Sequence, residues 1–434
     1  MSIKIKPKVI VGYLCIYFML IWNQTNLGEN FLKEFSLPIL CLFAGLVFVK
    51  SKKLTNWCGI LSILLVLFAA IIRMTVGGIG IEAIVLLLSS VYIVAAAVIY
   101  NRDKIFDRLV KIIVFLAGCS LVLWLLCIVM PNIYTTLIPR YETQMVYRIY
   151  SDSVNYQEIH YGARGLFLYT LREVDLSRNS GIFTEPGIYQ MVLNLGIFII
   201  LFLNKFLYSK KTKSMLVILI ITLCTTQSTT GFVGLIMIVI FYLFSRIKEK
   251  KLFNKSKMVI AILCLLLVLL IDYQIRGPES ILQITILDKL FSKGTFSLVD
   301  NASSAARVGT ILLSIRSILK HPFGVGYTNL GALLNTEKTG FVAAEILSFA
   351  AAWGIIPWIF VLWWIFTPLK NRMKRSEIIL YVLLYINTLM AQSNMLYPAF
   401  IVIPIAFKYA SLNFEEQSEQ YKEKRLVNEN IMDL

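Results

Sequence analysis

IEAIVLLLSSVYIVAAAVIY (residues 81–100) carries one charged side chain in twenty, Glu82 at its start. Twenty residues of α-helix rise about 30 Å, the thickness of a bilayer's hydrocarbon core. Working outward in both directions, the pattern recurs. Apolar runs fall at 9–24, 35–49, 57–72, 81–100, 109–130, 187–203, 214–227, 231–245, 258–273, 341–367, 377–392 and 395–410. The 434 residues are 58% hydrophobic and 15% charged, against about 45–50% and about 25% in a soluble domain. The expected fold class is therefore an all-α polytopic integral membrane protein. It has about twelve transmembrane helices, and residues 1–434 form a single transmembrane domain.

Met1 to Lys8 is basic and Val9 to Trp22 apolar, with no small-residue cleavage site after it. That pattern reads as a first membrane helix rather than a cleavable leader. The seven cysteines lie inside or at the ends of apolar runs, without a CxxC. They read as small core residues, and neither a disulfide framework nor a metal site is expected from them.

The net charge of +17 is distributed with a side. KIKPK (4–8), KSKK (50–53), NRDKIFDR (101–108), the SKKTK loop at 204–213, RIKEKKLFNKSK (246–257), KNRMKR (370–375) and the tail at 411–434 are the basic connections. With twelve spans all of them fall on one side, which the positive-inside rule makes cytoplasmic, with both termini inside. The charge is an orientation signal. A nucleic-acid partner would need a concentrated basic face with groove-reading elements, and the sequence has none.

Two large external loops remain, at 131–186 and 274–340. In the first, YETQMVYRIY (141–150) and YGARGLFLYTLREV (161–174) spread apolar among polar residues, so short helices on the membrane surface are expected there. In the second, SSAARVGTILLSIRSILKHPF (303–323) has helical spacing at Ile311, Leu312, Ile315, Ile318 and Leu319. Ser303 or Ser304 would cap it, and His-Pro followed by Gly would end it.

The five basic residues of the first loop, Arg140, Arg148, Arg164, Arg172 and Arg178, are all arginines, whereas lysine predominates inside. Orientation does not demand arginine, but bidentate capture of a phosphate does. Acids in the same loop, among them Glu142, Asp152, Glu158 and Glu185, offer each arginine an ordinary ion pair, and that alternative stays open. In the second loop Arg316 and Lys320 share a helix face at i,i+4. Arg307, nine residues earlier, points nearly the opposite way, which makes Arg316 the better phosphate ligand of the two.

His321 precedes Pro322, so the chain should turn extended there and leave the ring at a helix end. A histidine so placed suits proton transfer near neutral pH; a loop histidine with an ordinary hydrogen bond is the alternative. Glu185 precedes Pro186 at the entry of a helix. It either caps that helix and complements its dipole or takes a proton. Glu82, Glu345 and Arg73 lie near the outer ends of their helices, where charges are functional candidates or pair with one another. Glu173 and Asp175 form a lone acid-x-acid pair, weak as a metal motif.

RNSGIFTEPGIYQ (178–190), opening a membrane helix, resembles the signature of the O-antigen polymerase and O-antigen ligase superfamily. QSTTGFVGL (227–235) resembles that family's polar Ser/Thr-Gly entry to the following helix. HPFGVGYTN (321–329) resembles its histidine- or arginine-containing segment in the second outer loop. The resemblance implies a GT-C-like helical fold in a bacterial cytoplasmic membrane, with the active site facing outward. It implies transfer of a growing glycan from undecaprenyl pyrophosphate onto a new lipid-linked repeat unit, without a cofactor. Arg178 and Arg316, and with them Arg164 and Arg307, would bind the donor's pyrophosphate, while His321 or Glu185 would act as base. Implied partners are the lipid-linked donor and acceptor, membrane lipids, a chain-length regulator and a flippase. Two other functions fit the sequence: a ligase of the same superfamily that moves finished glycan to an acceptor, and a flippase of lipid-linked oligosaccharide. Against the flippase, the charges sit at the outer helix ends rather than near the midplane.

Overall fold

The computed structural model describes residues 7–22, 24–77, 79–130, 140–150, 156–172, 177–209, 211–248, 274, 291–292, 295–296, 302–336, 344–390 and 395–413. The expected run at 258–273, the acids Glu173 and Asp175, and the tail from 414 onward lie outside the described residues.

Every other apolar run is helical. In chain order the helices are α1 (Pro7–Ile21), α2 (Ser36–Lys50), α3 (Lys52–Thr75), α4 (Ile81–Asn101) and α5 (Ile105–Val129). Then come α6 (Pro186–Phe202), α7 (Thr212–Thr225) and α8 (Thr229–Lys248). Within the second loop lie α9 (Ala302–Lys320) and α10 (Tyr327–Thr336), and after it α11 (Glu345–Trp353), α12 (Ile355–Phe366), α13 (Arg375–Leu389) and α14 (Pro398–Asn413) follow. Among the described residues, three helical segments are long and apolar enough to cross a membrane: Gly28–Lys50, Lys52–Thr75 and Ile81–Val129. The last of these is α4 and α5 joined by a 3-10 turn.

Local chemistry sets the helix ends. Ser51, in extended conformation, caps α3 through its hydroxyl, which accepts from Leu54 N–H at 3.4 Å. Gly77 closes the same helix with φ +73°, its N–H on the Ile72 carbonyl at 3.0 Å, the left-handed exit that glycine adopts without cost. Pro186 opens α6 at the position where its missing N–H is not needed.

The exposed faces identify the solvent. On α3 the buried stripe Leu54, Cys58, Leu61, Leu65, Ala69 and Ile72 is backed by exposed Ile60, Ile63, Leu67, Ile71 and Met74. A helix in water would carry polar residues there; a contiguous apolar face marks contact with lipid. The protein is membrane-embedded. Buried small residues let helices approach: a Cβ on Gly12 would lie 2.6 Å from Asn101 Oδ1. Asn101 Nδ2 donates to the Gly12 carbonyl at 2.9 Å, joining α4 to α1. α6 is the central helix. Residues 188–200 are buried on all sides against α5, α7 and α8. α13 packs on both α8 and α11, and so links the two halves of the chain.

Two expectations are corrected. The described residues of the loop at 131–186 form strands, not the expected short surface helices. β1 (Arg140–Tyr150) and β2 (Tyr156–Arg164) form an antiparallel hairpin, with β3 (Leu171–Arg172) beside β2. Tyr, Val, Ile and Thr at 141, 143, 146, 147, 149 and 150 favour extended chain and outweigh the loose helical spacing. The apolar run at 341–367 is also not one helix. Gly354, with φ +91°, separates α11 from α12. A further two-residue hairpin pairs β4 (Phe291–Ser292) with β5 (Thr295–Phe296).

Candidate functional site

The stretch 177–190 is wedged among four elements. Thr184 donates from both N–H and hydroxyl to the Gln24 carbonyl, each at 3.0 Å, at the end of α1. Phe183 makes an antiparallel bridge with Thr25. Thr170, next to β3, donates to the Gly181 carbonyl at 2.5 Å and through its hydroxyl to the Ile182 carbonyl at 3.0 Å. Ser180 returns a hydroxyl bond to the Thr170 carbonyl at 3.0 Å. Asn179 is the knot: its N–H reaches the Thr225 carbonyl at 3.0 Å, and its amide reaches Ser120 Oγ at 3.3 Å and Thr225 Oγ1 at 3.0 Å. Its Oδ1 accepts from Gly181 N–H at 2.9 Å. Such a filled polar network rigidifies what it touches. Gly181 sits at φ +58°, and a Cβ there would lie 2.6 Å from the Tyr189 ring.

This wedge brings two distant motifs together. Arg178 Nε donates to the Thr226 carbonyl at 3.1 Å, immediately before QSTTGFVGL. One turn further in, Gly231 and Gly234 of that motif make room for Gln190 and Asn194 of α6. Cβ atoms on them would approach Gln190 Cβ at 2.9 Å and Asn194 Nδ2 at 2.6 Å. Asn194 donates to Gln190 Oε1 and to the Gly231 carbonyl, both at 3.0 Å, and Asn387 of α13 donates to the Thr230 carbonyl at 3.0 Å.

The sequence reading missed Gln24 and Gln227. Both are non-glycine residues in the left-handed region, at φ +62° and +48°. One carries the carbonyl that anchors Thr184, and the other follows the carbonyl that anchors Arg178. Left-handed backbone at a non-glycine costs about 1–2 kcal/mol and gathers at functional sites. Glutamine has no special preference for it, so no sequence signal was present.

The expected site residues divide between two supports. Arg164 ends β2, opposite Leu171, and Arg172 stands opposite Ala163. Arg164 is partly buried and Arg172 is buried. The neighbouring turn is tied to α1, with Asn26 Nδ2 on the Gly165 carbonyl at 2.8 Å and Tyr17 hydroxyl on the Phe167 carbonyl at 2.6 Å. Arg164, Arg178 and Glu185 thus belong to one platform. Glu185 is partly buried at the N-cap of α6, and its carboxylate makes no capping bond. Its backbone carbonyl accepts from Ile188 and Tyr189 at 3.1 and 3.2 Å. The side-chain capping bond is therefore absent, while the carboxylate still stands at the helix N-terminus, where it complements the dipole.

Arg316 and His321 stand on the second support. α9 begins at Ala302, which places Ser303 and Ser304 inside its first turn rather than at its cap, and Arg307 lies in the following turns. Its buried stripe holds three small polar residues, Thr310, Ser314 and Ser317, beside Leu313, and packs on α11. Its outward face is Leu312, Ile315, Arg316, Leu319 and Lys320, and Phe323 in the turn after it is exposed too. That inversion suits a helix at the membrane interface, with apolar side chains toward acyl chains and cations toward phosphates. His321 is exposed just past the helix end, as its proline predicts.

The glycine turn after it is locked onto the Gly354 break. Val325 and Gly326 donate to the Ala351 and Ala352 carbonyls, and Ile355 donates to the Pro322 carbonyl, each at 3.0 Å. Gly324 has φ +96°, and a Cβ on it would lie 2.5 Å from the Ala352 carbonyl oxygen. Beneath the turn Tyr327 donates to Glu345 Oε1 at 2.5 Å. Burial first, then the Glu345 carboxylate, push the Tyr327 phenol well above its ordinary range, so it remains a donor.

The fold and this site define a membrane-embedded helical protein with a rigid, arginine-bearing platform at one end of its bundle. Comparison with protein-family models finds no match, and comparison with curated proteins finds none either.

Proposed function

We propose that this chain is a polysaccharide repeat-unit polymerase. In this reading it is a GT-C-like protein of about twelve crossings in a bacterial cytoplasmic membrane, acting on the outer face with both termini inside. It joins undecaprenyl-pyrophosphate-linked repeat units into a surface polysaccharide. The observation that carries the reading is the meeting of RNSGIFTEPGIYQ with QSTTG: Arg178 and Asn179 bond Thr226 and Thr225, immediately before that segment, and Gln190 packs against its Gly231. Two segments that resemble one family's motifs, about forty residues apart in sequence, are built into one rigid platform.

The chemistry follows from the substrate. Outside the cytoplasm nucleotide sugars are not at hand, so the donor must arrive activated on a lipid. The acceptor sugar's hydroxyl oxygen attacks the donor's anomeric carbon. The bond from that carbon to the pyrophosphate oxygen breaks, and the lipid pyrophosphate leaves with the electron pair. Arg178 and Arg316, supported by Arg164 and Arg307, stabilise the charge that develops on the leaving group. The hydroxyl proton goes to a base, for which His321 and Glu185 are the solvent-reaching candidates. Alignment of the two lipid-linked substrates in the plane of the membrane supplies much of the rate. The test is elongation of lipid-linked repeat units by the purified protein; a ladder of longer glycans is expected. Protein that moves such lipids between leaflets without lengthening them would show a flippase instead.

A further inference from the structure

Glu345 is 3% exposed, in the first turn of α11. Burying a carboxylate is expensive, and a glutamine of the same shape would accept the Tyr327 hydroxyl at far lower cost. Packing therefore does not explain the acid. Both of its hydrogen-bond partners donate, the Tyr327 hydroxyl and the Met395 backbone N–H. Met395 is itself fixed, since its carbonyl accepts from the buried Tyr385 hydroxyl. A carboxylate offers about four acceptor positions, so two donors leave it able to take a proton. Tyr327 is only partly buried. It directly follows the glycine turn that begins at His321, on the same support as Arg316. The turn cannot shift to break the pair, because Gly324 and Gly354 are in backbone contact, with a Cβ on Gly354 only 2.7 Å from the Phe323 carbonyl carbon.

We propose that Tyr327 and Glu345 form a proton relay for the transfer reaction, with Tyr327 meeting the acceptor hydroxyl and Glu345 acting through it. This rests on the polymerase reading. As the acceptor oxygen bonds to the anomeric carbon and the pyrophosphate departs with its electron pair, the hydroxyl proton passes to the Tyr327 oxygen. Tyr327's own proton passes to Glu345 Oε1. The proton returns through Tyr327 to water after product leaves. Tyr327 is the catalytic residue and Glu345 its positioning and proton-holding partner. His321, exposed on the same turn, then serves substrate binding rather than proton transfer.

The experiment uses the full-length protein in lipid nanodiscs with a lipid-linked repeat unit, measuring elongation rate against substrate concentration. Tyr327→Phe and Glu345→Gln are expected to lower kcat about a hundredfold with KM little changed. Glu345→Asp, shorter but ionisable, is expected to recover part of the loss. A structural role predicts the reverse order, because glutamine keeps the shape and the acceptor. Glutamine performing as well as or better than aspartate, or Tyr327→Phe turning over at the wild-type rate, overturns the relay. Should the Glu345 variants fail to fold, Tyr327→Phe alone decides, since it removes one hydroxyl and leaves the ring. Wild-type protein that elongates nothing overturns the polymerase reading and the relay together; an active wild type with an unaffected Tyr327→Phe overturns the relay alone.

Discussion

Arg178 Nε donates to the Thr226 carbonyl, and its value to the account lies in the phosphate it is proposed to meet. Arg178→Ala and Arg316→Ala are each expected to reduce elongation about 10²–10³-fold, the loss typical of one preorganised donor at a developing charge. Membrane insertion should not change. Lysine at either position should rescue poorly, because an ammonium cannot form the two parallel bonds of a guanidinium. Gel analysis of glycan length, normalised to protein in the membrane, reads both effects. Glu185→Gln and His321→Ala test the other base candidates; the relay predicts that neither removes turnover. At this scale the exposed place of His321 past its helix end was legible from the proline that follows. Gln24 and Gln227 were not, because a left-handed φ is imposed by tertiary bonds and leaves no mark on residue type.

Elements were read well where one period dominates and poorly where two compete. The run at 81–100 became α4 almost residue for residue, since length and apolarity admit only a helix in lipid. The stretch 141–150 has aromatic and β-branched residues at positions that serve a strand as well as a surface helix, and pairing with 156–164 decided it. The split of 341–367 depends on Gly354 facing Phe323 and Gly324, a contact between segments about thirty residues apart. Two substitutions test these elements. Gly181→Ala meets both a left-handed φ and the Tyr189 ring, so a loss of about 1–3 kcal/mol is expected. Thermal unfolding monitored by size-exclusion fluorescence would show the drop. Gln227→Gly relieves a left-handed glutamine and is expected to raise the melting temperature, by an amount corresponding to about 1 kcal/mol. An unchanged or lower melting point would mean that the Gln227 side chain repays its backbone strain.

For the whole molecule, the proposed topology, drawn from the positive-inside pattern, puts the Arg178 platform on the outer side. A cysteine-free background carrying Ser177→Cys should react with a membrane-impermeant thiol reagent on intact cells. Ser209→Cys should react only after permeabilisation. The opposite pattern would invert the topology and place the platform where nucleotide sugars are available. How the two supports are joined is written in no local pattern, because α13, which packs on α8 and α11, brings them into one bundle only in the folded chain.

The most direct test of the central claim is elongation in a defined system: purified protein in nanodiscs, given undecaprenyl-pyrophosphate-linked repeat units and nothing else. A ladder of glycans is predicted, each one repeat unit longer than the last and still on the lipid, and absent in Arg178→Ala and Arg316→Ala. Repeat units left single by wild-type protein, or a full ladder from both alanine variants, would contradict the account.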